Sequence, residues 1–168
     1  MVTLERINPF WDYEYKFLDY KNEEFNNSND LARWIYQGYR HGKFTGDMCD
    51  MRRPQPSWND QFIKHFEDLG WRDVATSYYR MTTATILPTH SDTYKKYIEI
   101  FKVENPNSIK RALIFLEDWS SGHYLEVDGK PILDWQQGDY VVWDYNTPHM
   151  AANIGLEPRY TLQITGHV

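Results

Sequence analysis

Disulfide chemistry is excluded at the outset, because 1 cysteine, Cys49, in 168 residues can neither crosslink the chain internally nor join a cysteine cluster around zinc. Cys49 therefore reads as a small buried or half-buried thiol. Stability has to come from apolar packing, and 168 residues suffice for one domain with a core of its own. Basic runs are missing as well: Lys and Arg number 18 against 24 Asp and Glu, for a net charge of −6. That balance argues against a partner bound through its phosphate backbone, although a single base in a pocket stays open. No stretch approaches the roughly 20 apolar residues of a membrane span. The opening MVTLERINPFWDYEYKF is interrupted by charge before an apolar run develops, so neither a leader nor an anchor is expected and the expected location is cytoplasmic. Internal repeats, low-complexity tracts and linkers are absent too. A single domain over residues 1–168 follows.

Aromatic residues, in contrast, are plentiful: 13 Tyr, 8 Phe and 7 Trp make up 17% of the chain. They favour strands and suit the walls of a β-barrel. With 41% hydrophobic and 25% charged residues the composition is otherwise that of a globular protein.

Residues 1–73 read as helices and loops. Ser28, Asn29 and Asp30 offer an N-cap ahead of LARWIYQGYRHG, with Leu31, Trp34, Ile35 and Tyr39 at helical spacing and Gly42 as a stop. A second helix is expected from Ser57 or Asn59 to near Gly70, and the prolines of MRRPQP make a loop between the two. From Val74 the pattern changes to short strands, expected at 76–87, 97–103, 111–117, 123–127, 140–144, 149–153 and 160–165 and separated by turns rich in Gly, Pro and Asn. The predicted fold class is mainly β with N-terminal helices, the helical support region 1–73 bracing a jelly-roll barrel core over 74–168.

Four polar residues stand out against this framework: His90, Asp92, His149 and, ten positions later, Arg159. With 6 histidines and 14 aspartates in 168 residues chance predicts about 0.5 His-x-Asp pairs, so the pair alone is weak. On extended chain, however, residues two apart share a face, which turns His90 and Asp92 one way and Ser91 the other. A hairpin of 149–153 and 159–165 then brings His149 and Arg159 onto neighbouring strands. Two histidines and a carboxylate on one face of a metal are the ligands of non-haem Fe(II) oxygenases. The guanidinium supplies a rigid fork for a carboxylate.

The stretch WQQGDYVVWDYNTPHMAANIGLEPRYTL carries Trp135, Gly138, Asp144, His149, Asn153 and Arg159 in an order that resembles the end of aspartyl/asparaginyl β-hydroxylase-type domains. The run RALIFLEDWSSGH, residues 111–123, is similar to the middle strands of prolyl-hydroxylase-type proteins. Over about residues 74–166 the chain thus resembles the Fe(II)/2-oxoglutarate-dependent oxygenases, with their double-stranded β-helix (cupin-like) core. Two departures matter: β-hydroxylase-type domains often lack the acidic ligand, which here is Asp92, and SerSerGly replaces the paired glycines of prolyl hydroxylases.

The resemblance implies that His90, Asp92 and His149 hold Fe(II), and that Arg159 pairs with the far carboxylate of 2-oxoglutarate. With O2 the cosubstrate is decarboxylated to succinate while a hydroxyl enters a peptide side chain or a small metabolite. It also implies a cosubstrate tyrosine before the first ligand, either Tyr78 or Tyr79; strand alternation allows one of them inward, and Tyr79 is favoured. Thr161 shares the face of Arg159 and offers a further hydroxyl, and Asn153 shares that of His149. Met51, Arg52, Arg53, residues 94–97 and residues 119–123 are expected at the rim, with His123 near the barrel mouth. His41, His65 and His167 lack a partner pattern. The alternatives are a cupin-like metalloenzyme without a keto acid, which has no need of Arg159, and a non-catalytic binding barrel.

Overall fold

A computed structural model of the chain describes residues 2–40, 42 and 44–168. Eleven strands and three α-helices follow one another as β1 (Leu4–Arg6), β2 (Lys21–Glu24), α1 (Ser28–Tyr36), β3 (Thr45–Asp50), α2 (Asn59–Asp68), β4 (Arg72–Met81), β5 (Thr85–His90), α3 (Lys95–Phe101), β6 (Ile109–Phe115), β7 (His123–Val127), β8 (Lys130–Ile132), β9 (Asp139–Asp144), β10 (His149–Asn153) and β11 (Arg159–His167). They build a 7-stranded sheet in the order β1-β9-β6-β11-β4-β3-β2 and a 4-stranded sheet in the order β5-β10-β7-β8. All pairings are antiparallel. Where a jelly-roll barrel was expected, the two sheets face each other and stay separate among the described residues, without closing into a barrel. The open side between β2–β3 and β5 is occupied by a cavity. No helix among the described residues is long and apolar enough to cross a membrane.

The larger sheet is covered on both faces. Outside, Phe62 and Phe66 of α2 pack with Trp11, Tyr15 and Trp58 onto Tyr78, Ile114, Leu162 and Ile164. Inside, Met81, Leu113, Phe115 and Val141 meet Leu125, Val127 and Ala151 of the smaller sheet. This explains why β6 reads as the nearly unbroken apolar run ALIF rather than as an alternation. Each fully buried large side chain contributes about 1.5–3 kcal/mol through its removal from water.

Several elements differ from the sequence expectation. Residues 95–101 form α3 instead of a strand, and Tyr97, Ile98 and Phe101 lie at helical spacing against Tyr94, Val103 and Ile109. Packing of that stripe overrides the β-propensity of Tyr, Ile and Phe. The expected strand 76–87 is divided at Ala84, which has a φ of 69°, so β4 and β5 enter different sheets. Residues before 74 also supply three strands, β1 to β3, whose side chains, apart from the buried Cys49, are exposed or half-exposed and leave little apolar alternation to read.

The largest correction concerns the expected 149–165 hairpin. β10 pairs with β5 and β7, whereas β11 pairs with β4 and β6, so the 154–158 link crosses from one sheet to the other. Asn153 makes the crossing. Its amide donates to the carbonyls of Met81 at 2.8 Å and Glu157 at 2.9 Å, and its Oδ1 accepts from the Gly155 N–H at 2.9 Å. Gly122 closes in on this link with a φ of +91°, and a Cβ there would meet the Gly155 nitrogen at 2.2 Å.

Candidate metal centre

The β5–β10 ladder places His90 directly opposite His149, and the two rings lie 4.4 Å apart, centre to centre. Asp92 follows the end of β5, and the chain there returns its carboxylate to the histidines. Its Oδ1 is 3.8 Å from His90 Nε2 and its Oδ2 is 3.7 Å from His149 Nε2. One potential ligand atom from each of the three residues falls within 4.8 Å of the others. Atoms bound at about 2.0–2.2 Å to one metal lie roughly 3–3.5 Å apart, so little contraction is needed.

Local hydrogen bonds decide which imidazole nitrogen is available. His90 Nδ1 is 2.7 Å from the carbonyl of Pro88, and His149 Nδ1 is 3.0 Å from that of Thr147. A carbonyl only accepts, so Nδ1 carries a proton in both rings and Nε2 is the nitrogen turned toward Asp92. Burial pushes His149 down to about 4 and keeps it neutral near pH 7. Burial opposes ionisation of Asp92, but Arg111, His149 and His90 outweigh it and hold the carboxylate below its usual range. A neutral His149 imidazole and an ionised Asp92 carboxylate are the protonation states that divalent metal binding requires of those two groups.

These groups end a cavity of about 300 Å³ between the sheets. Its inner wall carries Tyr79, Arg159, Thr161 and Gln163, while Leu113, Leu125 and Met81 supply apolar surface. Tyr79, not Tyr78, is the inward member of its pair; Tyr78 packs on the far face and donates to Asn59 Oδ1 at 2.7 Å. Burial pushes the Tyr79 phenol up to about 12, so it remains a hydroxyl donor. Thr161 pairs with Tyr79 on one side and Phe115 on the other, and it is buried.

Arg159 is the least compensated charge in this wall. Its residue is 7% exposed, its Nη1 donates to the Tyr124 carbonyl at 3.0 Å, and its Nε is buried without a partner. Among the described residues it joins no ion pair. Burial brings the guanidinium down only to about 10, so it stays charged. Tyr124 pairs with Ala152, three residues along β10 from His149, an interval of about 10 Å at about 3.4 Å per residue.

The rim is built by other residues than expected. Glu23, Glu24, Phe25, Asn26 and Phe44 line the cavity, whereas Met51, Arg52, Arg53, residues 94–97 and residues 119–123 do not. Phe25 and Trp34 also meet the His90 ring edge-on, at 4.9 and 5.8 Å between centres. The N-terminal region thus reaches the centre itself. His123 faces Trp135 and meets the Glu157 carbonyl at 2.8 Å, His65 packs on Tyr140, and His167 pairs with Tyr97 and Asp73. His41 lies outside the described residues. Sequence reasoning missed Arg111, which stands 3.3 Å from Asp92 Oδ2. Its parity with Leu113 and Phe115, both inward on β6, was the available signal.

No protein-family model matches this chain, and no curated protein matches its sequence. Among solved structures it is similar to a prolyl-4-hydroxylase from Pseudomonas putida, with a TM-score of 0.57 and 15% identity over 92% of this chain and 95% of that one. A predicted oxalate decarboxylase from Thermotoga maritima is similar with a TM-score of 0.50 and 12% identity, over 92% of this chain and 96% of the other. The chain shares the two-sheet β fold of these proteins. At these identities the likeness establishes architecture alone.

Proposed function

We propose that the protein is a non-haem Fe(II)- and 2-oxoglutarate-dependent dioxygenase that hydroxylates a peptide side chain or a small metabolite. The single observation that carries this reading is Arg159, a buried guanidinium with no anionic partner, set about 10 Å along the smaller sheet from the candidate ligands. Uncompensated burial of a cation costs several kcal/mol. An anion arriving with the cosubstrate removes that cost, and cupin-type enzymes without a keto acid have no use for the arrangement.

In this reading His90, Asp92 and His149 are the residues that would hold Fe(II). Bound there, the metal supplies the redox chemistry that couples decarboxylation of 2-oxoglutarate to hydroxylation. Arg159 orients the distal carboxylate through its fork, and the Tyr79 and Thr161 hydroxyls lie on the same wall to share the remaining lone pairs. Leu113, Leu125 and Met81 exclude water along the cosubstrate. The prime substrate would enter past Glu23 to Asn26, which line the cavity and are themselves exposed or half-buried.

The test is turnover of labelled 2-oxoglutarate by the purified protein with Fe(II) and oxygen. Slow formation of succinate and carbon dioxide is expected even without prime substrate. Neither turnover nor calorimetric binding of the keto acid to the metal-loaded protein would sink the assignment.

A further inference from the structure

The three candidate ligands are not held equally well. His90 and His149 are paired across a β-ladder and tied through Nδ1 to a carbonyl two residues earlier in the chain. Asp92 lies beyond the end of β5, so no ladder fixes its backbone, and its buried Oδ2 receives no hydrogen bond. One group is placed to hold it. Arg111 Nη2 stands 3.3 Å from Asp92 Oδ2, and its guanidinium carbon lies 4.8 Å from the centre of the Tyr94 ring. Tyr94 is itself buried and lies 5.8 Å from Tyr145, so the guanidinium sits between a fixed aromatic face and the carboxylate. Among the described residues Asp92 is the one ion-pair partner of Arg111, whose side chain is only 12% exposed. Unlike Arg159, Arg111 does not line the cavity. It therefore stands behind the metal carboxylate and away from the space where cosubstrate and substrate bind.

We infer that Arg111 is a positioning residue that aims the Asp92 carboxylate at the metal, an inference that rests on the proposed metal site. A carboxylate on a loop has several rotamers, and only those turned toward the two Nε2 atoms bind. The Arg111–Tyr94 clamp selects among them before metal arrives. Outer partners of metal ligands commonly set metal affinity by about 10–100-fold.

The experiment is a double-mutant cycle read by Mn(II) affinity, measured by electron paramagnetic resonance on the whole chain without cosubstrate. Arg111→Met is expected to weaken Mn(II) binding about 10–100-fold. Arg111→Lys, which keeps the cation but loses the fork and the planar face, recovers part of that loss. In an Asp92→Ala background, Arg111→Met causes no further loss, because the carboxylate it aims is gone. Unchanged affinity in the Met variant overturns the inference, as does an equal loss with and without Asp92, which would mean that Arg111 acts through the fold alone. If Arg111→Met fails to fold, unchanged affinity in the Lys variant overturns it in the same way. A wild-type chain that binds no Mn(II) defeats the metal site itself, an outcome distinct from wild-type binding that Arg111 does not affect.

Discussion

The two faces of the larger sheet come from the same strands and differ in nearly every property that matters for chemistry. Tyr78 and Tyr79 are consecutive on β4, yet Tyr78 is sealed under α2 with Phe62 and Trp58, while Tyr79 lines the cavity beside Arg159. On β11, Leu162 and Ile164 face the helix, and Arg159, Thr161 and Gln163 face the cavity. The outer face is largely apolar, and its cation Arg80 is paired with Asp47 at 2.9 Å. The inner face carries a buried cation without a partner, at a cost in stability. One side of the sheet stabilises the fold, and the other spends part of that stability to hold polar groups in place.

Crossed substitutions on the two faces break or sharpen this comparison. At the extreme, His149→Ala should abolish stoichiometric metal binding while the protein still folds; retained stoichiometric iron by metal analysis rejects the ligand set. Phe62→Ala, on the outer face, should cost about 3–5 kcal/mol in denaturant unfolding while the folded fraction keeps its metal affinity. A matching loss of metal affinity would erase the distinction between the faces. Arg159→Ala should weaken 2-oxoglutarate binding by about 2–5 kcal/mol, read by calorimetry, and leave metal affinity without cosubstrate unchanged. Unaltered keto-acid binding means that Arg159 is misassigned. The smallest effects come from the tyrosine pair: Tyr79→Phe should weaken keto-acid binding by about 0.5–1.5 kcal/mol, and Tyr78→Phe should lower stability by a similar amount through loss of its bond to Asn59. Exchange of these two phenotypes would invert the face assignment.

Much of the site is legible along the chain because it depends on local geometry. His90 and Asp92 are two residues apart, Arg159 and Thr161 share a strand face, and strand alternation sends Tyr79 inward once Tyr78 packs outward. The strands His123–Val127 and His149–Asn153 stand at the boundaries that their turns predict. What stays hidden is long-range. Period-2 patterning says which face a residue takes, not which sheet its strand joins, so β10 and β11 look like a hairpin although they belong to opposite sheets. His149 and Arg159 still meet one cavity, because the sheets face each other across it. The rim residues Glu23 to Asn26 were unreadable for another reason: an exposed edge strand and its following loop carry no apolar repeat.

By itself the amino-acid sequence determined the chemistry on offer: two imidazoles, a carboxylate and a guanidinium at strand positions, in an aromatic chain without disulfides or basic runs. It determined the turns and most of the strands in the C-terminal half, since these follow from residue-level sterics and alternation. The tertiary structure alone decided that His90 pairs opposite His149, that Arg111 stands behind Asp92, and that β2, β3 and the loop after β2 line the cavity. Those relations join residues far apart in the chain, and the free energy that selects them comes from closing two sheets over a shared core. No local pattern encodes that term.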